Sequence, residues 1–311
     1  MRILVLGAGA IGGYFGGRLA QAGADVTFLV RPARRAQIAG SGLVIESPNG
    51  NARIAAKTLV AGEPMAGFDL VLFTCKAYDL DSAMDAIAPA MAAGSCVVPL
   101  LNGFAHFDRL DARFGRAAVM GGSCQINAAL APDGTVKHME PLNRIVFGER
   151  DGTKSARAQA LADALAGSGI DCTWSDDIVQ DLWEKFVFLA GLAAITCLFR
   201  GNVGEILAAP EGRAAAERAF DANVAIATAE GHRPREKMLK WGRERLTTPG
   251  PQSASMMRDM EAGKPVEADH IVGHMLALAR RHGVDDTILA LAHTHLKTYE
   301  SRRAAGRLPG R

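Results

Sequence analysis

Two polar side chains follow predicted strands at the point where a ligand-binding sheet would present them. Lys76 comes directly after the apolar run Leu70–Cys75, and Asn102 follows the run Cys96–Leu101. The carboxyl ends of parallel strands form the rim at which open α/β sheets bind ligands. The spacing therefore predicts that the ammonium of Lys76 and the amide of Asn102 contact a small molecule at one edge of a sheet.

A third candidate, Lys185, lies in the first turns of a long predicted helix and is followed by fourteen residues without a charge. A lysine at such an apolar edge is partly desolvated, which lowers the pKa of an amine and favours proton transfer near neutral pH. The alternative is a lysine whose stem covers apolar surface while its ammonium stays in water. Lys185 is thus a candidate proton donor, and both roles remain open at this point.

The motif Gly7-Ala8-Gly9-Ala10-Ile11-Gly12 follows the predicted strand Ile3–Leu6 and opens a predicted helix. This is the context in which G-x-G-x-x-G binds a dinucleotide. Gly7 would permit the tight turn, Gly9 the approach of a pyrophosphate, and Gly12 close packing of helix on strand. The N–H groups of the helix N-terminus would bind the phosphates. The alternative is a glycine turn that holds no ligand.

The residues after the second predicted strand, Val26–Val30, favour NADP over NAD as the cofactor. NAD enzymes place a carboxylate at the end of this strand, where it binds the ribose 2′-hydroxyl. Here the strand ends in Arg31, with Arg34 and Arg35 close behind, and Asp25 lies at the opposite end. Arginine pairs well with phosphate, so Arg31 is predicted to bind the 2′-phosphate of NADP. The alternative is that the three arginines are only surface charge.

The pattern of apolar segments predicts an α/β chain in two domains. Short apolar runs alternate with helical patterns in the first part, which is typical of a largely parallel, Rossmann-type sheet covered on both faces. The runs are Ile3–Leu6, Val26–Val30, Leu70–Cys75, Cys96–Leu101, Ala117–Gly121 and Ile145–Gly148, with helices at Ala10–Ala22, Leu80–Ala92 and Ser155–Ala166. A turn at residues 132–134 predicts a late antiparallel strand over Thr135–His138.

Beyond Asp177 the strand patterns disappear and helical patterns dominate. The predicted helices are Asp177–Leu198, Gly204–Leu207, Gly212–Glu230, Arg235–Arg245, Ser253–Ala262, Pro265–His282 and Thr287–Arg302. We therefore predict a dinucleotide-binding domain over residues 1–175 and an all-helical C-terminal domain, for substrate binding and dimerisation, over residues 176–311.

Composition narrows the function classes. A formal net charge of +2 over 311 residues argues against nucleic acid or an anionic membrane as a partner. The apolar stretch Phe186–Phe199 is too short to span a bilayer and is predicted to be a core helix. An odd number of cysteines, five, and no secretory signal indicate a cytoplasmic protein with reduced thiols. The long apolar helices of the second domain are compatible with a homodimer.

The motifs taken together resemble the ketopantoate reductases (2-dehydropantoate 2-reductases), and the resemblance extends from residue 1 to about residue 300. The matching pieces are Gly7–Gly12, Cys75-Lys76-Ala77, Asn102-Gly103, Leu182-Trp183-Glu184-Lys185, Ser255-Met256-Met257-Arg258-Asp259 and Glu267-Ala268-Asp269. The resemblance implies a Rossmann domain followed by a helical domain. It also implies NADPH-dependent reduction of a 2-oxo acid to a 2-hydroxy acid, ketopantoate to pantoate, in pantothenate synthesis.

The resemblance also implies a role for each matching residue. Lys185 would donate the proton to the carbonyl oxygen, and its charge would stabilise the developing alkoxide. Asn102 would contact both cofactor and substrate, and Ser255 would hold the substrate carboxylate. Glu267 would bind the nicotinamide ribose and orient the site. Lys76 would line the same pocket and contact both substrate and cofactor.

The chain departs from the family pattern on the helix that carries Lys185. Two asparagines normally follow this lysine by four and eight residues and reach the substrate's hydroxyl end, but Leu189 and Ala193 stand here. Both lie on the face of Lys185, since residues i, i+4 and i+8 stack on a helix. The departure leaves open a more apolar 2-oxo acid, ketopantoate held differently, another ketone or imine, or an NADP-binding sensor without catalysis.

Glu267, His270 and His274 could place three metal ligands on one helix face. No HExxH pattern is present and no further ligand is evident in the sequence. An ordinary helix face is therefore favoured, and we predict that the protein holds no metal.

Overall fold

The apolar runs of the N-terminal half form short parallel strands in the computed structural model, which describes residues 1–308. The chain divides into two units, one of residues 1–101 and 106–179, the other of residues 102–105 and the chain from Gln180 onward. The last three residues of the predicted second domain, 309–311, lie outside the described residues.

The strands of the first unit belong to two sheets. They are β1 (Arg2–Leu6), β2 (Asp25–Leu29), β3 (Leu43–Glu46), β4 (Ala52–Ile54), β5 (Lys57–Leu59), β6 (Leu70–Phe73), β7 (Cys96–Pro99), β8 (Gly121–Leu130), β9 (Val136–Gly148) and β10 (Asp171–Trp174). The helices of this part of the chain are α1 (Ala10–Gln21), α2 (Pro32–Ser41), α3 (Leu80–Ile87), α4 (Ala105–Phe114) and α5 (Ala156–Leu165).

The first sheet has the strand order β5-β2-β1-β6-β7, and every neighbouring pair is parallel. Strands β1, β6 and β7 are buried almost throughout, which explains why they are continuous apolar runs rather than alternating ones. The chain winds outward from β1 in one direction through β2 and in the other through β6. The topological switch point therefore lies between β1 and β6, where ligands bind in open α/β sheets.

The second sheet joins β10, β9, β3 and β4, with β8 paired antiparallel to β9. Strand β9 is a single thirteen-residue strand where the sequence predicted two short ones. Pro141 lies inside β9 without breaking it. The pairing of β9 with β8 includes His138 and Asn143 but skips the residues between them. A proline, which has no N–H to donate, is tolerated in such an unpaired gap.

Helix α1 contacts both sheets through its glycines. A Cβ on Gly16 would lie 2.7 Å from Phe28 of the first sheet, and one on Gly17 would lie 2.7 Å from Ile45 of the second. Glycine inside a helix costs about 1 kcal/mol relative to alanine. That cost is offset here because, without a Cβ at Gly16 and Gly17, both sheets pack closer to the helix than they could with a larger residue.

The second unit is helical over its described residues. It contains most of α6 (Ile178–Phe199), followed by α7 (Val203–Ala208), α8 (Gly212–Ala229), α9 (Glu236–Thr247), α10 (Ser255–Glu261), α11 (His274–His282) and α12 (Thr287–Ala304). A π-helical turn over Asp269–Gly273 precedes α11. The predicted fold class, a Rossmann-type parallel sheet followed by a helical region, is confirmed.

Helix α6 is 22 residues long, so the uncharged stretch Phe186–Phe199 is only part of it. By length and composition alone this helix could cross a membrane, but 72% of its most apolar window is buried inside the protein. Burial of that extent is what the core helix of a globular domain shows. The strand predicted over Ala117–Gly121 is wrong: the chain makes a 3₁₀ turn at Arg116–Ala118, and β8 starts only at Gly121.

Candidate functional site

The glycine motif forms the turn between β1 and α1 at the switch point of the first sheet. Gly7 has a φ of +88°, a backbone conformation that residues other than glycine rarely adopt. Its N–H donates to the carbonyl of Leu29 at 2.8 Å. A Cβ on Gly12 would clash with the carbonyl oxygen of Gly7 and the hydroxyl of Thr74. These two glycines are therefore required by the protein's own packing.

Gly9 differs, because a Cβ built on it would meet no neighbouring atom of residues 1–308 within 4 Å. Its φ of −80° and ψ of −156° are open to any residue, and as the N-cap of the helix that starts at Ala10 it offers no side chain to the first N–H groups. The N–H groups at the start of α1 are thus available to an anion. The loop fits the diphosphate of a nicotinamide dinucleotide, since a side chain on Gly9 would occupy the place where that diphosphate approaches the backbone.

The two glycines predict opposite phenotypes. We expect Gly12→Ala to lower the free energy of unfolding by about 1–3 kcal/mol, as overpacking does. Gly9→Ala should change it by less than about 0.5 kcal/mol. It should nevertheless weaken binding of a nicotinamide dinucleotide about tenfold or more, by blocking the diphosphate. Urea denaturation measures the free energy of unfolding, and the fluorescence of the bound reduced dinucleotide measures its affinity. Normal dinucleotide binding by Gly9→Ala would show that the diphosphate does not bind at this loop.

Lys76 and Arg31 lie on neighbouring loops of the first unit. Lys76 is half-buried and precedes the 3₁₀ turn Ala77–Asp79, three residues after the end of β6. The side chain of Arg31 is 78% exposed, and its guanidinium forms an ion pair with Asp79 at 3.0 Å. The carboxyl edge of the sheet thus brings together the glycine loop after β1, Arg31 after β2 and Lys76 after β6.

In the second unit, Lys185, Leu189 and Ala193 share one face of α6, as i, i+4 and i+8 positions do. Lys185 and Leu189 are half-buried, whereas Ala193 is 1% exposed. The amine therefore lies at the partly accessible end of an otherwise apolar face.

Glu184, directly before Lys185, anchors this end of α6. Its side chain is 4% exposed, and its two oxygens accept hydrogen bonds of 2.7–2.8 Å from the backbone N–H and the guanidinium of Arg235. Arg235 also pairs with Asp181 on the preceding turn. Burial alone would raise the pKa of Glu184, but the hydrogen bonds from Arg235 and Gln180 lower it below its ordinary value. The carboxylate stays charged and holds the turn that carries Lys185.

Aromatic stacking ties the Asn102 segment to the same part of α6. The ring of Phe104 stacks on Trp183 at 4.6 Å, and a Cβ on Gly103 would lie 3.4 Å from Phe186. Gly103 is buried with a φ of +80°, so this turn requires glycine. Residues 102–105 belong to the second unit for this reason, although they follow a strand of the first.

His270 links Asn102 to the Glu267 segment. Its carbonyl would lie 3.2 Å from a Cβ on Gly103, and its ring hydrogen-bonds the backbone of Asn102. Glu267 is 6% exposed and stands just before the π-helical turn that carries His270. Inserted π turns are frequent at functional sites. The helix predicted over Pro265–His282 begins only at Asp269, with the π turn that leads into α11, so Glu267 lies before the helix and His270 in its first turn.

The π turn also changes the spacing that suggested a metal site. Within residues 1–308, no group of three or more His, Cys, Asp or Glu side chains is arranged to hold a metal ion. The sequence drew attention to His270 only as a metal ligand, and its contact with Asn102 could not be read from spacing.

Burial lowers the pKa of His270 below 6.5, and the charge of His274 acts in the same direction, while Glu267 and the backbone of Asn102 oppose them. Below about pH 6.5 the unfolded chain binds a proton that the folded chain binds only at lower pH. Stability from this residue is therefore present above pH 6.5 and is lost as the pH falls through the folded pKa, by at most about 1.4 kcal/mol per pH unit.

We expect His270→Gln to reduce the loss of unfolding free energy between pH 6.5 and 5. His282→Gln, which removes a histidine paired with Glu230 at 2.5 Å, shows how far the loss of a different histidine changes the pH dependence. Urea denaturation across this pH range measures the slope. An unchanged slope in His270→Gln would show that His270 titrates alike in the folded and unfolded chains.

Ser255 is the first residue of α10, next to a contact with α6. The N–H of Ala254 donates to the hydroxyl of Thr196, and that hydroxyl donates to the carbonyl of Leu192. Ser255 is half-buried and stands at the end of α6 away from Lys185. The second unit thus brings the Asn102 segment against Trp183 and Phe186, which flank Lys185 in the sequence, and against His270, which follows Glu267. Ser255 lies on a different helix, α10, beside the contact of Ala254 with Thr196 of α6.

Comparison with known proteins agrees with both units. Residues 3–152 match the family described as Ketopantoate reductase PanE/ApbA, and residues 177–300 match Ketopantoate reductase PanE/ApbA C terminal. The chain is 37% identical over 305 residues to the uncharacterized oxidoreductase YkpB of Bacillus subtilis, covering 97% of this chain and 100% of that protein.

Solved structures share the whole architecture. The crystal structure of 2-dehydropantoate 2-reductase from Geobacter metallireducens is 30% identical, with a TM-score of 0.87 over 96% of this chain and 99% of its own. The ternary structure of D-mandelate dehydrogenase with NADH and anilino(oxo)acetate has a TM-score of 0.86 over 98% of this chain and 99% of its own. At 21% identity that second likeness establishes a common fold.

Proposed function

The chain belongs to the ketopantoate reductase family of oxidoreductases acting on CH–OH groups, and from that premise we propose that it reduces a 2-oxo acid to a 2-hydroxy acid with NADPH. The observation that supports the proposal is that Trp183 and Phe186, on either side of Lys185 in the sequence, pack against Phe104 and Gly103, while His270 hydrogen-bonds the backbone of Asn102. An NADP-binding sensor would need only the dinucleotide loop.

Lys185 is the proton donor in this proposal. NADPH, when bound, supplies the hydride to the carbonyl carbon. The ammonium of Lys185 donates its proton to the carbonyl oxygen, and before transfer its charge stabilises the oxygen as it becomes an alkoxide. The carboxylate of Glu184, fixed by Arg235, holds the helical turn from which Lys185 projects.

The remaining residues bind and orient. The amide of Asn102 would contact both substrate and cofactor, and the hydroxyl of Ser255 would bind the substrate carboxylate. Glu267 would bind the nicotinamide ribose, and Lys76 would contact the cofactor from the loop after β6. The N–H groups around Gly9 would bind the diphosphate.

Ketopantoate is our leading substrate, and pantothenate synthesis the pathway that follows from it. A second candidate, a more apolar 2-oxo acid, is favoured by Leu189, whose half-buried side chain stands one turn after Lys185. The relative YkpB is named only as an oxidoreductase, and the D-mandelate dehydrogenase of the same fold was solved with NADH. Substrate and cofactor therefore need to be varied together in any test.

The test follows the near-ultraviolet absorbance of the reduced nicotinamide while protein, NADPH or NADH, and single 2-oxo acids are mixed. We expect turnover with NADPH and at least one of ketopantoate, 2-oxoisovalerate and phenylglyoxylate. Tight NADPH binding without turnover of any 2-oxo acid would contradict the reductase and favour a sensor. We further propose a homodimer located in the cytoplasm.

A further inference from the structure

Two aromatic side chains of α6 pack against the turn that carries Asn102. The ring of Phe104 stacks on Trp183, with ring centroids 4.6 Å apart. A Cβ on Gly103 would lie 3.4 Å from the ring of Phe186. Gly103 has a φ of +80°, and glycine leaves the backbone more freedom than any other residue. Because apolar packing is non-directional, the orientation of the Asn102 backbone depends on a directional contact.

The ring of His270 makes such a contact. It hydrogen-bonds the backbone of Asn102, and its Cδ2 atom would lie 3.6 Å from a Cβ on Gly103. The carbonyl oxygen of His270 would lie 3.2 Å from the same point, so the backbone and the side chain of this residue both lie against the turn. A hydrogen bond weakens steeply when its angle is poor. The ring of His270 therefore restricts the orientation of the Asn102 backbone more than the aromatic contacts do.

The π-helical turn that carries His270 is supported from α12. The carboxylate of Asp269 accepts hydrogen bonds of 2.8 Å from Nε2 of His293 and from the ammonium of Lys297. A ring on a turn held in this way has already lost part of its freedom, so less conformational entropy opposes its hydrogen bond. Glu267 lies only two residues before Asp269 in the chain. The same turn therefore restrains both Glu267 and the histidine that holds the Asn102 backbone.

We propose that His270 is a positioning residue of the reductase site, whose ring orients Asn102 and ties it to the segment of Glu267. The proposal rests on the proposed function for what Asn102 and Glu267 bind. His270 acts through Asn102, whose amide would contact both substrate and cofactor. Displacing a binding group by about 1 Å can lower a rate about a hundredfold. Loss of the ring nitrogens should therefore reduce turnover while the fold persists.

The test compares His270→Phe, which keeps a ring but loses its nitrogens, with His270→Gln and His270→Asn, whose amide nitrogens lie near the positions of Nε2 and Nδ1. Hydrogen–deuterium exchange of residues 102–105 in the full chain, read by mass spectrometry, needs no turnover. We expect His270→Phe to speed this exchange about three- to tenfold. It should lower kcat/KM for the 2-oxo acid about ten- to a hundredfold. Only one amide variant should restore both quantities to within about threefold of wild type.

His293→Gln is the matched control, because it removes one support of the same turn while Lys297 still bonds Asp269. It should change both quantities by less than about threefold. Unchanged exchange in His270→Phe, or an equal change in His293→Gln, would overturn the proposal. If His270→Phe does not fold, the amide variants decide, and equal behaviour of the two overturns it. A wild-type protein without turnover would contradict the reductase, while the exchange of residues 102–105 would still decide whether His270 orients the turn.

Discussion

Replacing Lys185 by alanine is expected to lower kcat for 2-oxo acid reduction by about a thousandfold, because general acid catalysis and alkoxide stabilisation are lost together. NADPH affinity should change by less than about threefold, since the diphosphate loop lies elsewhere in the chain. The fold should persist, because the Glu184–Arg235 pair that anchors this end of α6 is unchanged. Steady-state kinetics and NADPH fluorescence measure the two effects separately.

Lys240→Ala is the matched control, since its side chain is 79% exposed on α9 and pairs weakly with Glu244. It should leave kcat and the melting temperature unchanged. Equal losses of turnover and cofactor affinity in Lys185→Ala would assign Lys185 to cofactor binding instead of proton transfer.

The second large effect is expected at Leu189. Ketopantoate carries a hydroxymethyl group that 2-oxoisovalerate lacks, and an apolar wall discriminates poorly for a hydroxyl. Leu189→Asn supplies an amide one turn after Lys185, at the position where the family pattern has an asparagine. We expect it to shift the ratio of kcat/KM values toward ketopantoate by about ten- to a hundredfold. Parallel assays of the two acids measure the shift.

Leu189→Met keeps the apolar character and volume of this position, so the ratio should stay within about threefold of wild type. Ala193 is less suitable for the same experiment, since at 1% exposure an asparagine there would be overpacked. An unchanged ratio in Leu189→Asn would mean that this side chain does not contact the part of the substrate that distinguishes the two acids.

The sequence predicted the structure best at positions where the backbone conformation or close packing restricts the residue type. Gly7, Gly9 and Gly12 predicted the β1–α1 turn at its observed place, and Gly7 and Gly12 are positions where the fold itself excludes a side chain. The parallel sheet followed from buried apolar runs. In contrast, β4 and β5 are three residues each, too short for periodicity to mark them, and residues 102–105 joined the helical unit through a stack that no local pattern reveals.

In the candidate site, too, the sequence identified individual residues but not the contacts between distant ones. Lys185 and Glu267 carried sequence signals, but what surrounds them depends on contacts between distant residues. Glu184 and Arg235 are separated by 51 positions and His270 meets Asn102 through the backbone, so neither pairing has a spacing to recognise. Arg34 and Arg35 looked equivalent in the sequence. Only the structure separates them, because Arg35 has a carboxylate partner and Arg34 has neutral ones.

The most direct test of the central claim uses NADPH deuterated at the transferable position of its nicotinamide. The protein is incubated with this cofactor and ketopantoate or 2-oxoisovalerate, and the organic acid is analysed by mass spectrometry and NMR. The account predicts a 2-hydroxy acid with one deuterium on the carbon that bears the new hydroxyl, formed far more slowly by Lys185→Ala. Oxidised cofactor without a deuterated 2-hydroxy acid from any 2-oxo acid would contradict it.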